Sequence, residues 1–374
     1  MKILFTGGGT GGHIFPIIAI AREIRKMSQS QNIRLFYIGP RDDFASILLS
    51  QEGIGVKTIW AGKIRRYLTP TSFIQNLFDV LVKIPIGIIQ SFVYIFLLAP
   101  DLILSKGGFG SVPPVLTGWI LQTPIFLHES DVAPGAANRF LNRFASKIFA
   151  SFPQTEYFKP SKMIAVGNPI RREMLQESKA VAQELFKLTG EKSVILFLGG
   201  SQGAQRINDE ILEVLPELLT EFEVIHQTGI KNFKQIRAEA RVVISKDLEK
   251  YYHPFPFFKE QELEKAYRLA DLVVSRAGSG SIFEIAAFGK PSILVPLPEA
   301  AQDHQFKNAY NYAKNGACHV LEEENFTSHF FLERLKFLFS HPQELNKMSQ
   351  AAQAFAKPEA ATTLAKYIIE YLLG

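Results

Sequence analysis

Short apolar runs alternate with helical stretches along the chain, and this alternation constrains the fold more than any other feature. The runs end in glycine-rich or polar turns, as in KILFTGG and DLILSKGG, and amphipathic stretches such as IIAIAREIRKM lie between them. This order is typical of parallel sheets with helices on both faces. The sequence therefore predicts an α/β, doubly wound fold. The predicted strands lie in KILFTG, RLFYIG, DLILSKGG, PIFLHES, KIFASF, MIAVG, SVILFLGG, FEVIHQTG, DLVVSRAG and PSILVPL.

The chain also repeats itself once. Residues 3–8 read ILFTGG, and residues 195–200, near the middle of the 374 residues, read ILFLGG. A helical stretch follows each copy, and the length suits two domains of roughly 100–200 residues. We therefore expect two similar doubly wound domains in tandem, joined near residues 167–169. Ligands bind outside the carboxyl ends of the strands in such sheets, and two domains that face each other form a cleft.

The composition argues against several classes of protein. The formal net charge of +5 is too small to indicate a nucleic-acid partner, but it suits an anionic membrane surface or phosphorylated substrates. A single cysteine, Cys318, excludes an internal disulfide and a cysteine-rich metal site, which favours a reducing compartment. The start MKILFTGG lacks the basic and apolar regions of a signal peptide and is interpreted as the first strand.

The most apolar segment, residues 84–99, allows two interpretations. It reads IPIGIIQSFVYIFLLA, which is shorter than the roughly 20 residues that span a bilayer, so one interpretation is a buried helix. The other interpretation includes the preceding stretch, where apolar residues recur at helical spacing beside lysines and arginines. An apolar stripe edged with cations can lie on an anionic membrane surface.

Residues 7–13 read GGGTGGH and follow the first predicted strand. They satisfy G-x-G-x-x-G, but Gly39 and Pro40 end the second strand where a dinucleotide-binding fold places an acidic residue. A nicotinamide cofactor is therefore disfavoured. Bare amides at a helix N-terminus remain suited to a phosphate group. His13, in the first turn of that helix, is either a structural residue or a catalytic or acceptor-binding one.

The second half contains two similar stretches. Residues 275–284 read SRAGSGSIFE after a predicted strand, and Arg276 adds positive charge there. Ser281 and Glu284 match the capping box S-x-x-E, so Glu284 either caps the helix or accepts hydrogen bonds from the hydroxyls of a ribose. Residues 199–203 (GGSQG) again supply amides and a hydroxyl at a helix start. Two such anion sites in one half suit a nucleoside diphosphate.

Other polar residues also follow predicted strands. They lie in KGGFG (106–110), HESD (128–131) and DHQ (303–305), so we expect them to converge on one cleft. The sequence contains neither a D-x-D pair nor histidine or cysteine spacing typical of zinc. We therefore expect metal-independent chemistry without a cofactor, in which helix N-termini, amides and Arg171, Arg276 or a lysine neutralise the diphosphate.

Together these motifs resemble those of the MurG family, the N-acetylglucosaminyltransferases of peptidoglycan synthesis. The matching stretches are GGGTGGHIFP, SKGGFGSVPP, HESDVAPGAANR, VGNPIRREM, GGSQGAQRIN and SRAGSGSIFEIAAFGKPSILVPLP, followed by HQ and NA. The resemblance implies a GT-B fold, with two Rossmann-like domains that face each other across a cleft. It implies an acceptor-binding, membrane-facing domain in 1–164, a UDP-sugar-binding domain in 165–345, and helices in 346–374 that return to the first domain.

The resemblance also implies which residues bind the donor, since a family role carries over where a residue matches. The sugar nucleotide is expected on the C-terminal domain. The implied contacts are Ser201 and Arg171 at the phosphates, Arg276, Ser279, Gly280 and Ser281 at phosphate and ribose, Glu284 at the ribose hydroxyls, Gln305 and His304 at the sugar hydroxyls, and the backbone of Phe258 and Lys259 at the uracil.

On the acceptor side, the resemblance places the loop formed by Thr10, Gly11 and Gly12, with His13, at a lipid-linked pyrophosphate and the reacting centre. One position departs from the family, which commonly has H-E-Q-N-A where residues 128–132 read HESDV. Asp131 thus stands where an asparagine is thought to contact the donor sugar. A carboxylate cannot donate as an amide does, and its charge near a diphosphate is unfavourable unless it is protonated or paired.

The activity implied is an inverting, metal-independent transfer of N-acetylglucosamine. The donor is UDP-N-acetylglucosamine, and the acceptor is the 4-hydroxyl of the N-acetylmuramyl unit of undecaprenyl-pyrophosphoryl-MurNAc-pentapeptide (lipid I), which becomes lipid II. The candidates for the general base are, in order, His13, Glu129 and Asp131. The implied partners are these two substrates and an anionic membrane surface, without nucleic acid, for a peripheral protein at the cytoplasmic face of the inner membrane.

Three alternatives stay open at this point. One is a GT-B glycosyltransferase that acts on another lipid, such as a diacylglycerol. A second is a UDP-sugar 2-epimerase, which would share the architecture and need no acceptor. The third is a non-catalytic UDP-sugar-binding partner of a membrane transferase, against which the presence of His13, Arg276 and Glu284 argues.

Overall fold

The computed structural model describes residues 1–8, 11–28, 32–65, 69–153, 157–171, 185–200, 203–298 and 303–374. The chain divides into two compact units: unit 1, Met1–Arg171 with Lys357–Gly374, and unit 2, Arg172–Ala356. The boundaries expected from the sequence lie at 164/165 and 345/346, whereas the chain enters unit 2 at 171/172 and leaves it at 356/357. Unit 2 is thus an insertion in the chain of unit 1.

The described part of unit 1 contains one sheet in which every neighbouring pair of strands is parallel. The strand order is β3-β2-β1-β4-β5-β6-β7, so the order reverses between β1 and β4, as in doubly wound folds. The strands predicted for the first half of the chain are all present. The strands are Lys2–Thr6 (β1), Arg34–Pro40 (β2), Gly55–Ile59 (β3), Leu102–Ser105 (β4), Ile125–Glu129 (β5), Lys147–Ala150 (β6) and Met163–Ala165 (β7).

The described part of unit 2 repeats this plan. Its parallel sheet has the order β10-β9-β8-β11-β12-β13. The four strands predicted for the second half are present, together with two short edge strands, β10 and β13. The strands are Ser193–Leu198 (β8), Phe222–Gln227 (β9), Tyr252–Phe255 (β10), Leu272–Ser275 (β11), Ser292–Leu294 (β12) and Cys318–Val320 (β13). The two Rossmann-like sheets confirm the predicted α/β fold.

Helices cover both faces of each sheet. The α-helices of the described residues are Gly11–Met27 (α1), Asp43–Gln51 (α2), Pro70–Phe78 (α3), Ile84–Leu98 (α4), Val112–Ile120 (α5), Ala136–Leu141 (α6), Gln205–Glu221 (α7), Phe233–Val243 (α8), Glu260–Leu269 (α9), Ser279–Ala287 (α10), His304–Ala313 (α11), Ser328–Ser340 (α12), Pro342–Phe355 (α13) and Ala360–Leu373 (α14). Because the central strands are covered on both faces, their sequences are almost continuously apolar.

The last two helices belong to different units. α13 packs against α10 and α12 of unit 2, and Ser349 donates a hydrogen bond to the carbonyl of Gly289 (2.7 Å). α14 instead packs against α1 of unit 1 and buries Leu364 and Ile368 completely in one of its cores. The rings of Tyr367 and Tyr371 pack against aromatic residues on strands of the unit 1 sheet. The chain therefore returns to unit 1 only after α13.

The apolar segment near residue 84 is not a buried helix. α3 and α4 are joined by a π-helical turn, Asp79–Lys83, into one helical segment, Pro70–Leu98. By length and composition alone, this segment of the described residues is long and apolar enough to cross a membrane, and 17% of its most apolar window is buried. Only Gly87, Ser91 and Ile95 of α4 are buried. The interpretation as a buried helix is therefore wrong, and most of its apolar side chains face outward.

Candidate functional site

Gly7 and Gly8, directly after β1, form the first part of the candidate site. Helix α1 begins at Gly11. The hydroxyl of Tyr37, buried below the two glycines, donates a hydrogen bond to the carbonyl of Gly7 (3.1 Å). A Cβ atom at Gly8 would lie 2.8 Å from Cδ2 of His13, so this position has no room for a side chain. Gly8 and the imidazole of His13 therefore pack directly on each other.

His13 is held through one ring nitrogen. Its Nδ1 lies 3.1 Å from the carbonyl oxygen of Lys106, which can only accept, so Nδ1 carries the proton and Nε2 a lone pair. Burial, followed by the positive charge of Lys106, lowers the pKa of His13 to about 4, although the hydrogen bond to the Lys106 carbonyl and the charge of Asp131 oppose the shift. The ring is therefore neutral at pH 7. Its Nε2 atom has the lone pair that a general base needs.

Glu129 organises the loop that follows β5. The residue is buried, and its Oε1 accepts a hydrogen bond from the backbone N–H of Asp131 (3.0 Å). Its Oε2 accepts from Nδ2 of Asn138 (2.8 Å) and from the N–H of Gly135 (3.3 Å). Both carboxylate oxygens thus bind the loop in which Asp131 lies. This arrangement suits a residue that positions the loop better than one that removes a proton from a substrate.

Lys106 is a functional candidate to which the sequence assigned no role beyond its place after a strand. It follows β4, its side chain is almost completely buried, and it faces the polar residues at the end of β5. Nζ lies 2.5 Å from Nδ1 of His128 and 2.7 Å from Oγ of Ser130. A lysine directly after a fully buried strand was the available signal, since lysine is almost never fully buried without partners.

In unit 2, Arg276 follows β11 and is mostly buried. Its Nη1 atom forms an ion pair with Glu323 and donates a hydrogen bond to the carbonyl of Val295 (3.3 Å). Arg206, in the first turn of α7, lies 3.8 Å from the other oxygen of Glu323. Within the described residues, no contact engages Nε or Nη2 of Arg276. Glu323, which the sequence reasoning missed, thus holds one edge of the guanidinium group and leaves the other edge for a ligand.

The start of α10 lies next to Arg276 in sequence. Its N-cap is Gly278, without a side-chain cap, so Ser279, Gly280 and Ser281 form the first turn with no acidic residue among them. Glu284 does not cap this helix; its Oε2 instead accepts a hydrogen bond from the hydroxyl of Tyr267 (3.2 Å). The capping interpretation of Glu284 is therefore wrong. The first turn retains backbone N–H groups that can bind an anion.

Gln305, in the first turn of α11, joins two loops of unit 2. Its Oε1 accepts hydrogen bonds from the backbone N–H groups of Ala277 (3.2 Å) and Leu297 (3.0 Å). These contacts fix the carboxamide so that the Nε2 end is the part left to donate to a ligand. His304, which precedes it, is half-buried at the start of α11.

Phe258 contributes to the core rather than offering its ring to a ligand. Its side chain is buried and packs on Phe186 and Phe255. Its backbone N–H points to Oε1 of Gln227 (3.4 Å), whose Nε2 donates to the carbonyl of Gly200 (3.0 Å). A base contact at Phe258 is thus left to the carbonyl group, which can accept from N3–H of uracil.

The remaining predicted residues fall elsewhere. Arg171 is the last residue of the first segment of unit 1; it is buried and its guanidinium lies 4.4 Å from the ring centroid of Phe15. Gly11 and Gly12 begin α1. Thr10 and Ser201 lie outside the described residues.

Comparisons with known proteins identify the family of the chain. The glycosyltransferase family 28 N-terminal domain matches residues 3–150, and its C-terminal domain matches residues 194–364. The chain is 36% identical, over 99% of each protein, to the UDP-N-acetylglucosamine--N-acetylmuramyl-(pentapeptide) pyrophosphoryl-undecaprenol N-acetylglucosamine transferase 2 of Bacillus cereus. A crystal structure of MurG from Acinetobacter baumannii is similar over 99% of each chain, with a TM-score of 0.72 and 26% identity.

A UDP-GlcNAc 2-epimerase from Neisseria meningitidis, solved with UDP-GlcNAc bound, has a similar fold. It matches 99% of this chain and 100% of its own with a TM-score of 0.69, but only 14% of the aligned residues are identical. This similarity concerns the fold alone, whereas the family 28 matches and the full-length 36% identity concern the sequence itself. The chain therefore belongs to glycosyltransferase family 28, as a member of the MurG family with the GT-B fold.

Proposed function

We propose that the protein transfers N-acetylglucosamine from UDP-N-acetylglucosamine to the 4-hydroxyl of the N-acetylmuramyl unit of lipid I, giving lipid II in peptidoglycan synthesis. The observation that carries this proposal is the 36% identity, over 99% of both proteins, to a Bacillus cereus protein named for that transfer. The site geometry supports it, since unit 1 supplies a neutral histidine and unit 2 supplies an arginine beside a helix N-terminus.

On the donor side, we assign the diphosphate to Arg276 and the N-terminal turn of α10. The Nε and Nη2 edge of Arg276 can bind two phosphate oxygens, and the N–H groups of Ser279, Gly280 and Ser281 add hydrogen-bond donors. Glu284 then accepts from the ribose hydroxyls. The other donor contacts proposed are Ser201 and Arg171 at the phosphates, Gln305 and His304 at the sugar, and the carbonyl of Phe258 at the uracil.

On the acceptor side, we assign the pyrophosphate to the amides of Thr10, Gly11 and Gly12. His13 then removes the proton of the attacking 4-hydroxyl through Nε2, while that oxygen bonds to the anomeric carbon of the donor and UDP leaves. The configuration at the anomeric carbon inverts because the attack is direct. Since both oxygens of Glu129 bind the loop after β5, we assign it to positioning. The charge of Asp131 raises the pKa of His13, so Asp131 lies near this ring and is the second candidate for the base.

Metal independence is part of the proposal. The negative charge that develops on the leaving UDP would be stabilised by the guanidinium of Arg276 and by the helix N-terminus, which carries a partial positive charge. Neither group requires a divalent cation. Activity that persists in excess chelator would support this assignment, and activity restored only by added magnesium or manganese would contradict it.

We further propose that unit 1 binds peripherally to the anionic cytoplasmic face of the inner membrane through α3 and α4. Large apolar side chains of this segment are exposed, including Phe73, Phe96 and Leu97. Lys83 and Arg65 both pair with the one buried carboxylate of Asp79 (2.6 and 2.8 Å), so a net positive charge remains beside the apolar face, and this charge favours anionic lipid. A lipid-linked acceptor would meet its enzyme at this surface.

The decisive experiment is transfer of N-acetylglucosamine from its UDP form to a soluble lipid I analogue with chelator present. Product formation would support donor, acceptor and metal independence together. The protein could bind UDP and transfer the sugar to another lipid, such as a diacylglycerol, but not to the lipid I analogue. That result would mean that the other lipid, and not lipid I, is the acceptor. Binding of UDP with no transfer to any acceptor would favour a non-catalytic partner of a membrane transferase.

A further inference from the structure

We propose that Arg206, in the first turn of α7, is a second phosphate-binding arginine of unit 2. Glu323 holds it beside Arg276, so that the two arginines together bind the two phosphates of a nucleoside diphosphate. This assignment deepens the proposed function and rests on it only in taking the ligand of unit 2 to be UDP. It is supported by the carboxylate that the two arginines share, by the exposure of Arg206 and by the anchoring of α7.

The sheet of unit 2 brings Arg206 and Arg276 to one edge. β8 and β11 pair directly, with Leu198 opposite Ser275, and the helices α7 and α10 follow these two strands. Both arginines therefore lie beyond the carboxyl ends of neighbouring parallel strands, where ligands bind in such folds. Within the described part of unit 2, neither helix has a side-chain cap or an acidic residue in its first turn. The partial positive charge of both helix starts therefore favours an anion.

Glu323 joins the two arginines. Its side chain is buried, and one carboxylate oxygen forms an ion pair with Nη1 of Arg276. The other oxygen lies 3.8 Å from Nη1 of Arg206. Two positive charges thus share one negative charge, so the cluster keeps an excess positive charge at the edge of the sheet. A phosphate group bound there would be stabilised by that excess.

Arg206 is the accessible member of this pair. Its side chain is 49% exposed, against 13% for Arg276. In the part of the chain that the structure describes, Glu323 is its only partner, and an exposed ion pair of this kind adds little stability. Asp209, the next acidic residue along α7, instead accepts a hydrogen bond from Gln205 (2.6 Å). The guanidinium of Arg206 can therefore direct two parallel N–H groups at a phosphate.

The start of α7 is fixed from its buried side. Nδ2 of Asn208 donates to the carbonyl of Thr228 (3.0 Å), and its Oδ1 lies 3.0 Å from Nε2 of His226. Gly203 has a φ of +80°, and a Cβ atom there would lie 2.6 Å from the same carbonyl of Thr228. The backbone that carries Arg206 is thus held in place before a ligand arrives, so only the side chain must be ordered on binding.

Titration with UDP and with UMP, in the absence of an acceptor, tests this assignment. A diphosphate can bind both arginines, whereas a monophosphate can bind only one of them well. We therefore expect Arg206→Gln to weaken UDP binding at least tenfold and UMP binding less than twofold, without a change in the unfolding temperature. Equal losses for the two nucleotides, or an unchanged affinity for UDP, would overturn the proposal.

Arg241, an exposed arginine on α8, provides the matched control. R241Q removes the same charge from the same unit and should leave both affinities unchanged. A loss of UDP affinity in R241Q as large as that in R206Q would mean that only the overall charge of unit 2 matters, which would contradict a direct contact.

The part played by Glu323 is tested by a double-mutant cycle. In the E323Q background Arg206 has lost its charged partner, so adding R206Q should weaken UDP binding less than threefold. Losses from R206Q and E323Q that simply multiply in the double variant would show that Glu323 does not position Arg206.

These titrations need no transfer, so they separate this assignment from the proposed function. A protein that shows the dependence on Arg206 but transfers no sugar to the lipid I analogue would disprove the proposed function and leave the assignment intact. Transfer to the lipid I analogue, combined with unchanged UDP affinity in R206Q, would overturn the assignment alone.

Discussion

At the scale of single residues, the neutral state of His13 decides how the site responds to acid. A general base works only while deprotonated, and burial lowers the pKa of His13 to about 4. We therefore expect kcat/KM to stay level from neutral pH down to about 5 and to fall below that. An acid limb centred near the ordinary histidine value of about 6.5 would show that His13 is not the base.

Replacing His13 tests its role directly. His13→Ala should lower turnover roughly 10²–10⁴-fold, the contribution typical of a general base, while UDP affinity changes less than about twofold. The exposed His329, on α12 of unit 2, supplies the control, and H329A should change neither quantity. Equal losses of turnover and UDP affinity in H13A would contradict a catalytic role.

The ion pair between Glu323 and Arg276 leads to a prediction about UDP affinity. Glu323→Gln removes the ion pair that fixes Arg276, so we expect UDP affinity to fall by about tenfold, close to the roughly 1.4 kcal/mol of one charged hydrogen bond. Isothermal titration with UDP measures this loss. E324Q, which changes an exposed neighbour, should leave the affinity unchanged. Tighter UDP binding in E323Q would mean that Glu323 merely competes with the phosphates.

The sequence predicts anion sites at these positions but does not predict which distant residues contact them. GGGTGGH and SRAGSGS lead to that prediction because glycine turns before helices are local features. The partners of Arg276 and Lys106 come from residues distant in sequence, Glu323 and His128, so no local pattern reports them. The capping box at Ser281 failed because the N-cap is Gly278, three residues earlier than the motif requires, and the helix begins at Ser279.

At the scale of elements, the exposed helical segment Pro70–Leu98 is predicted to bind anionic membranes through its apolar side chains. Replacing Phe92, Phe96 and Leu97 by serine should weaken binding to anionic vesicles by at least tenfold, since burial of each large apolar side chain contributes about 1.5–3 kcal/mol. Vesicle co-sedimentation measures the loss, and UDP affinity should not change.

A matched control for the membrane variant lies in unit 2. Val242, on α8, is 85% exposed, so Val242→Ser removes an exposed apolar group from another surface. We expect it to bind vesicles like the unsubstituted protein. Equal binding by the triple variant and V242S would show that the helical segment does not contact the membrane.

β9 carries a buried histidine that ties the stability of unit 2 to pH. Nδ1 of His226 lies 2.9 Å from the hydroxyl of Tyr252 and Nε2 lies 3.0 Å from Oδ1 of Asn208, and burial lowers the pKa of His226 to about 3. The unfolded chain binds a proton there below about pH 6.5, whereas the folded chain does not until about pH 3. Stability is therefore full above about pH 6.5 and declines on acidification.

This linkage predicts a measurable difference. Between pH 7.5 and 5, His226 alone should lower the free energy of unfolding by about 2 kcal/mol, at about 1.36 kcal/mol per pH unit below 6.5. The stability advantage of the unsubstituted protein over H226Q should shrink by that amount in urea titrations at the two pH values. Parallel pH dependences of the two proteins would contradict this account, and H341Q, at an exposed position, should show none of the effect.

Most strands were predictable because buried parallel strands are continuous apolar runs. β3, β10 and β13 were not among those predicted, since each is a short edge strand and β10 contains Pro254. The exposure of α4 was also beyond the sequence pattern. The sequence of an apolar run does not show whether protein or lipid covers the helix. Only the packing of the neighbouring elements shows which side chains stay exposed.

At the scale of the whole molecule, the division into two units predicts two unfolding events. Leu364, on α14, and Leu338, on α12, are both completely buried, in unit 1 and unit 2 respectively. Leu364→Ala should lower the stability of unit 1 by about 2–5 kcal/mol and leave the transition of unit 2 in place, and Leu338→Ala should do the reverse. Differential scanning calorimetry separates these results. A single transition shifted by both variants would show that the units unfold together.

The return of the chain to unit 1 also sets an order of events during protein synthesis. The apolar surface of α1 that α14 covers leaves the ribosome early, but α14 is made last, after all of unit 2. At about 5–20 residues per second, the synthesis of unit 2 takes roughly 10–40 s. Throughout that interval the nascent unit 1 exposes the surface that Leu364 and Ile368 later bury, so the first domain to emerge is the last to be completed.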